Sequence, residues 1–315
     1  MSESKSFTRI AQSYKNISNV ILKLSLHDLL QNDQPSINLL SEALENHGFF
    51  VLTDHGISND LFKEAYHFSE KFFNLELAIK NKLSHPEKAG ARGYTPFGKE
   101  TALGETVPDL KEFWHHGPVI DDSYDRRIMS NVDVSDLEGF DELFDQLFNE
   151  MKHLGMKLLS SISLTLDKPE NFFDSKVEKG NSLLRLIHYP PSDNENMFRA
   201  REHEDINLIT LLIGADEPGL EVKDKSGNWL PVSSSFNEIV CNIGDMMQLI
   251  TDGKLKSTPH RVVKYNLDEK RSRYSIPFFL HPSPDTMLSS IYDESDKGVL
   301  AHDFLDERLR AIKLY

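Results

Sequence analysis

His203 and Asp205 stand two residues apart at the head of the apolar run HEDINLIT, residues 203–210. On a β-strand, residues two apart point to the same face. The pair would therefore offer an imidazole and a carboxylate side by side. With 13 histidines and 50 acids in 315 residues, about two His-x-Asp/Glu pairs arise by chance. The chain has two, His203/Asp205 and His85/Glu87. The second contains Pro86, which disrupts strand pairing, and reads as a loop. The first leads directly into an apolar strand. His260 opens the later run HRVVKYN, and strands far apart in sequence can meet across a barrel. Two imidazoles and one carboxylate make a three-point facial site with open positions, the donor set of a non-haem Fe(II) centre. Taken alone, His260 also reads as a hydrogen-bonded edge histidine.

A second constellation lies in RYSIPFF, residues 273–279. Arg273 and Ser275 share a strand face, and an arginine beside a hydroxyl can hold a carboxylate by a charge-assisted fork and one further hydrogen bond. Buried inside a barrel, that guanidinium is costly without an anion; on an edge strand the pair is only a solvated face. Tyr189, in LIHYPP, could add a phenol hydrogen bond to the same anion, or simply pack before a proline turn.

The elements that must carry these groups change character along the chain. Residues 1–18 read as a polar arm without the apolar core of a secretory signal. PSINLLSEALENHGFFVL predicts a helix that stops at Gly48, then a strand. Ser58 or Asn59 can cap the next helix, through LFKEAYHFSEKFF. Residues 84–125 are rich in Gly and Pro and read as irregular. Leu137, Phe140, Phe144, Leu147, Met151, Leu154 and Leu158 recur at threes and fours, so residues 136–165 form one long helix with a buried stripe. From about residue 182, short apolar or alternating runs are separated by PPSDNEN, ADEPG, KSGN and TDGK, the texture of a β-sandwich or barrel. AHDFLDERLRAIKLY closes the chain as a helix. A mostly helical region, 1–165, is expected to pack on a β-rich region, 166–315, around one core.

Composition bounds the function. Hydrophobic residues make up 39% and charged residues 27%, as in a soluble domain with a well-buried core. No apolar run is long enough to span a membrane. Thirty-five basic against fifty acidic residues give a net charge of −15, which repels phosphate backbones and argues against a nucleic-acid partner. A single cysteine, Cys241, excludes a disulfide framework and a thiolate zinc site and suits a reducing cytoplasm.

The order of these pieces resembles the isopenicillin-N-synthase-like group of Fe(II)/2-oxoglutarate-dependent oxygenases over nearly the whole chain. ENHGFFVLTDHGI, RGYTPFGKE, DLKEFWHHG, LRLIHYPP, HEDINLITLL, GLEVKD, CNIGDMMQLITDGKLKSTPHRVV and RYSIPFF follow in that family's order. The chain departs from it where Ile187 replaces an asparagine two residues before Tyr189. Pro218-Gly219-Leu220-Glu221-Val222 replaces Gly-Gly-Leu-Gln-Val, and NVILKL replaces Pro-Val-Ile-Asp. The resemblance implies a mainly β fold with flanking helices, a double-stranded β-helix or jelly-roll core. It implies iron ligands His203, Asp205 and His260, with Arg273 and Ser275 on the far carboxylate of 2-oxoglutarate and Tyr189 assisting.

The implied chemistry is oxidation of an unactivated C–H of a small molecule by O2, as hydroxylation, desaturation or cyclisation, with release of succinate and CO2. The protein orients the reactants and excludes water. Arg92, Tyr94, Phe113, Trp114, His115 and Phe279 are expected beside the substrate, with the C-terminal helix as a lid. Arg92 would favour an anionic substrate, and a monomer is expected. Two other readings share these residues: an iron-dependent oxidase of the same fold that uses no 2-oxoglutarate, and a non-catalytic jelly roll that binds a metal or a small acid.

Overall fold

The computed structural model describes residues 21–85, 87, 90–100, 109–191, 198–214, 218–264 and 271–312. The polar arm of residues 1–18 lies outside them, as do parts of the PPSDNEN and ADEPG segments. Strands β1 (Lys23–Ser25) and β2 (Phe49–Thr53) flank helix α1 (Gln34–Asn46); helix α2 (Asn59–Phe73) follows, then β3 (Gly93–Thr95), β4 (Glu112–His116) and the long helix α3 (Phe140–Thr165). The C-terminal half contributes β5 (Leu183–Tyr189), β6 (Phe198–His203), β7 (Ile209–Ile213), β8 (Leu220–Lys223), β9 (Trp229–Pro231) and β10 (Ile239–Ile243). It ends with β11 (His260–Val263), β12 (Arg273–Leu280), β13 (Met287–Leu288), β14 (Val299–Leu300) and helix α4 (Ala301–Ala311).

The strands form an eight-stranded major sheet, β1-β2-β10-β7-β12-β5-β4-β3, and a four-stranded minor sheet, β6-β11-β8-β9. The chain passes repeatedly from one to the other, which is the jelly-roll pattern. Period-two alternation assigns each face of the major sheet. On β2, Phe50 and Leu52 pack toward the helices, whereas Phe49 and Val51 point into the space between the sheets. On β5, Leu184 and Leu186 face the helices, and Ile187 and Tyr189 face inward. The inter-sheet layer closes on Ala200, Leu220, Val222 and Val262 of the minor sheet.

Helix α3 supports the outer face through the fully buried Phe140, Phe144, Leu147, Met151 and Leu158; each such side chain contributes about 1.5–3 kcal/mol. It begins at Phe140 rather than 136 because Gly139 sits in the left-handed region, φ +83°, which ends regular helix geometry. Ser58 caps α2 by accepting from Asp60 N. Residues 84–125 are not wholly irregular: β3 and β4 lie within them and extend the major sheet beyond β5. Their pattern hid them, since β3 is three residues long and EFWHH is buried at every position, leaving no alternation to read. Four strands of the major sheet thus precede residue 165.

Candidate active site

The open end of the barrel holds a cavity of about 590 Å³ bordered by both sheets, by the segment Gly90–Arg92, and by Leu305, Arg308 and Leu309 of α4. The helix expected as a lid therefore lies at the cavity's rim. His203 and His260 are direct partners across β6 and β11, with ring centroids 4.3 Å apart. Asp205 is not on the strand with His203: β6 ends at His203, and Asp205 lies in the crossing segment between the minor and major sheets. Shared strand face therefore does not explain the pairing. The crossing segment is held instead by the Asp245 amide, which donates to Asp205 O at 2.7 Å. One ligand atom each from His203, Asp205 and His260 lies within 4.8 Å of the others.

Each donor is oriented. His203 Nδ1 donates to Arg201 O at 2.7 Å and His260 Nδ1 to Thr258 O at 3.2 Å, which leaves both Nε2 lone pairs free to coordinate. Asp205 Oδ2 accepts from Thr210 Oγ1 at 2.6 Å and Asn242 Nδ2 at 2.8 Å. Its other oxygen, Oδ1, faces His260 Nε2 at 3.8 Å. Burial, then the neighbouring His260, lowers His203 to about 4, so it is a neutral ligand near pH 7. Burial favours protonated Asp205, but the two histidines and the two hydrogen bonds outweigh it and hold the carboxyl below its usual range. Two imidazoles and one carboxylate with fixed second partners fit Fe(II).

On the facing sheet, Arg273 of β12 is the register partner of Tyr189 on β5, and Ser275 the partner of Ile187. All four are buried, and the Arg273 guanidinium carbon lies 5.5 Å from the Tyr189 ring centre. The expected Arg, Ser and Tyr thus converge on the inner face.

The expected substrate residues divide by strand parity. Arg92, His115 and Phe279 border the cavity. Phe113 is fully buried beneath Arg185, whose guanidinium carbon is 4.5 Å from its ring centre. Tyr94 and Trp114 do not reach the cavity. Tyr94 donates to Glu112 Oε2 and Trp114 packs edge-on to Phe72 at 5.0 Å, both on the helix side. The register Tyr94↔Trp114 puts both on that side, whereas Phe113 and His115 alternate to the other.

Several residues bordering the cavity escaped the sequence reading. Arg185 Nε donates to His115 Nε2 at 2.6 Å and Nη1 to Glu100 Oε2 at 3.1 Å. His115 Nδ1 in turn donates to Gly90 O at 2.5 Å. Burial and the adjacent Arg185 keep His115 well below its ordinary pKa, so its Nε2 accepts as a neutral ring. Lys111 is buried between Glu100 and Asp109. Parity could have exposed Arg185, which lies two and four residues before Ile187 and Tyr189 on one strand face.

Comparison with known proteins agrees with this geometry. Residues 21–136 match the model of the non-haem dioxygenase in morphine synthesis N-terminal region, and residues 180–282 that of the 2OG-Fe(II) oxygenase superfamily. A 2-oxoglutarate-dependent dioxygenase, frbA, of Dothideomycetidae sp. (strain 11243) is 33% identical over 277 residues, 80% of this chain and 81% of that protein. The proline hydroxylase buaE of Petromyces alliaceus is 31% identical over 80% of this chain and 83% of its own. Among solved structures, a protein described as a 2OG-Fe(II) oxygenase family member from Caulobacter crescentus superposes with TM-score 0.82 at 36% identity, covering 93% of this chain and 99% of its own. A Neurospora crassa protein solved with alpha-KG and thymine superposes with TM-score 0.81 at 28% identity, covering 93% and 97%. The fold and these likenesses together establish that the chain belongs to the 2OG-Fe(II) oxygenase superfamily and is an iron- and 2-oxoglutarate-dependent dioxygenase.

Proposed function

We propose that His203, Asp205 and His260 hold the Fe(II), that Arg273 and Ser275, with Tyr189, hold the far carboxylate of 2-oxoglutarate, and that the cavity beyond them takes a small molecule whose unactivated C–H is oxidised. The observation that carries this reading is the meeting of the three donors within 4.8 Å opposite the Arg273–Tyr189 rung. Held there, Fe(II) would supply the redox chemistry that links oxidative decarboxylation of 2-oxoglutarate to oxidation of the substrate. The chain's own residues supply the rest. Nδ1 anchoring fixes both imidazoles. Thr210 and Asn242 fix Asp205 Oδ2, which leaves Oδ1 as the oxygen that would ligate. The inter-sheet apolar layer excludes water from the reacting end.

A substrate carrying negative charge, a monomeric enzyme and a cytoplasmic setting complete the reading. The last is supported by a single, buried cysteine. Among the described residues, no helix is long and apolar enough to cross a membrane.

The test is an anaerobic titration of Fe(II)-loaded protein with 2-oxoglutarate, followed by visible absorbance. A charge-transfer band is expected in the wild type, its loss in His203→Ala, and at least about tenfold weaker 2-oxoglutarate binding in Arg273→Ala. A band of unchanged strength and affinity in both variants refutes the assignment.

A further inference from the structure

Arg92 borders the cavity and is 2% exposed. Its Nη1 donates to Ala91 O at 2.6 Å and Nη2 to Asn181 Oδ1 at 3.0 Å, both neutral acceptors. Its Nε is buried without a hydrogen-bond partner. Among the described residues, no carboxylate lies within ion-pairing distance of it. Four of the acids around the cavity are ion-paired elsewhere. Glu100 pairs with Arg185 and Lys111, Asp109 with Lys111 and Arg201, Glu202 with Lys223, and Asp245 with Arg308. The polar neighbours on Arg92's side do not compensate it. His115 is neutral, and burial holds His281 at about 4. Burial draws the Arg92 guanidinium down to about 10.

The fold nevertheless makes room for this charge. A β-carbon at Gly117 would sit 2.2 Å from Arg92 Nε and 2.3 Å from its guanidinium carbon, so the planar head lies against bare backbone. A buried cation left unmatched is costly, and the acids among the described residues do not supply a partner. Arg92, His281 and the three residues His203, Asp205 and His260 border the same cavity. Phe279 lies on the same inner face.

We infer that Arg92, steadied by Asn181 and Gly117, is the anchor for a carboxylate on the primary substrate, so that the enzyme acts on monocarboxylic acids with an apolar or aromatic body directed toward the His203–Asp205–His260 centre. A single guanidinium suits a monoanion held through two parallel N–H···O bonds. This rests on the reading of the iron and 2-oxoglutarate sites given above and names the substrate class for it. Arg273 is a separate carboxylate site, on the rung with Tyr189.

The test is anaerobic titration calorimetry on enzyme saturated with Fe(II) and 2-oxoglutarate. The probes are benzoate and phenylacetate, compared with benzamide and phenylacetamide. At least one acid is expected to bind about tenfold or more tighter than its amide, a charge-assisted pair being worth about that much. Arg92→Met abolishes the acid preference, and Arg92→Lys retains part of it. The Fe(II)–2-oxoglutarate absorbance band is monitored throughout; its persistence shows that the probe does not displace 2-oxoglutarate from Arg273. Neither acid binding, amides binding as tightly as acids, or a full acid preference in Arg92→Met overturns the inference. The acid–amide comparison in the wild type stands even if the methionine variant fails to fold. Absence of the band in wild-type protein signals failure of the underlying iron reading, which is a different outcome from loss of acid preference with the band intact.

Discussion

His203 and His260 occupy one rung of the β6–β11 pair, and each ring donates Nδ1 to the carbonyl two residues earlier in its own chain. The same local device acts twice, so both imidazoles present Nε2 to one point without relying on long-range side-chain contacts. The carboxylate arrives differently, from the segment that crosses between sheets, and depends on Thr210 and Asn242 for its orientation.

That difference makes Asp205 sensitive to its supports. Thr210→Val removes a 2.6 Å hydrogen bond to Oδ2 while conserving shape. Fe(II) affinity is expected to fall about 10–100-fold, measured by competition with a chromogenic chelator. Unchanged affinity would show that Asn242 alone suffices.

The parity argument for Tyr94 has its own consequence. Tyr94→Phe deletes a donor to the buried Glu112, which retains Lys80 and His188. Stability should drop by about 1 kcal/mol, read as a lower denaturant midpoint. Iron and 2-oxoglutarate affinities should not move; a change in either would place Tyr94's influence inside the cavity.

Gly48 joins α1 to β2 with φ +63°, and a β-carbon there would lie 2.4 Å from Lys256 O. Gly48→Ala therefore meets both left-handed strain and a backbone clash. A loss of about 2 kcal/mol or more is expected, seen as a fall of several degrees in Tm. A neutral substitution would mean that the segment around Lys256 yields freely.

His281 gives the metal-free protein a pH dependence. Burial, reinforced by Arg92, lowers it from an ordinary 6.5 to about 4. Between those values the unfolded chain binds a proton that the folded chain does not, so stability is present above about pH 6.5 and is lost as pH falls toward 4. The contribution is about 3 kcal/mol at most. Chemical denaturation of apo protein across this window should show a shallower slope in His281→Gln than in the wild type. Equal slopes would contradict the burial of a neutral ring.

Much of this was legible in the residues because the governing patterns are local. The 3–4 spacing from Phe140 to Leu158 marks α3, Gly48 stops α1, and Ser58 caps α2. His203, His260, Arg273 and Ser275 stood out because rare polar types headed apolar strands. Strands β3 and β4 were not legible, since burial on both faces erases alternation. Nor was the position of Asp205, which depends on a crossing between sheets that spacing alone does not reveal. That no carboxylate among the described residues reaches Arg92 is visible only in three dimensions, because it depends on where each acid lies and what it already pairs with.

The most direct test of the account is iron-edge anomalous diffraction from crystals grown anaerobically with Fe(II) and 2-oxoglutarate. The expected result is one anomalous peak bounded by His203 Nε2, Asp205 Oδ1 and His260 Nε2, with the far carboxylate of 2-oxoglutarate on Arg273 and Ser275. A peak at another histidine–acid pair, such as His116 with Asp145, or 2-oxoglutarate seated on Arg92 instead of Arg273, would contradict it.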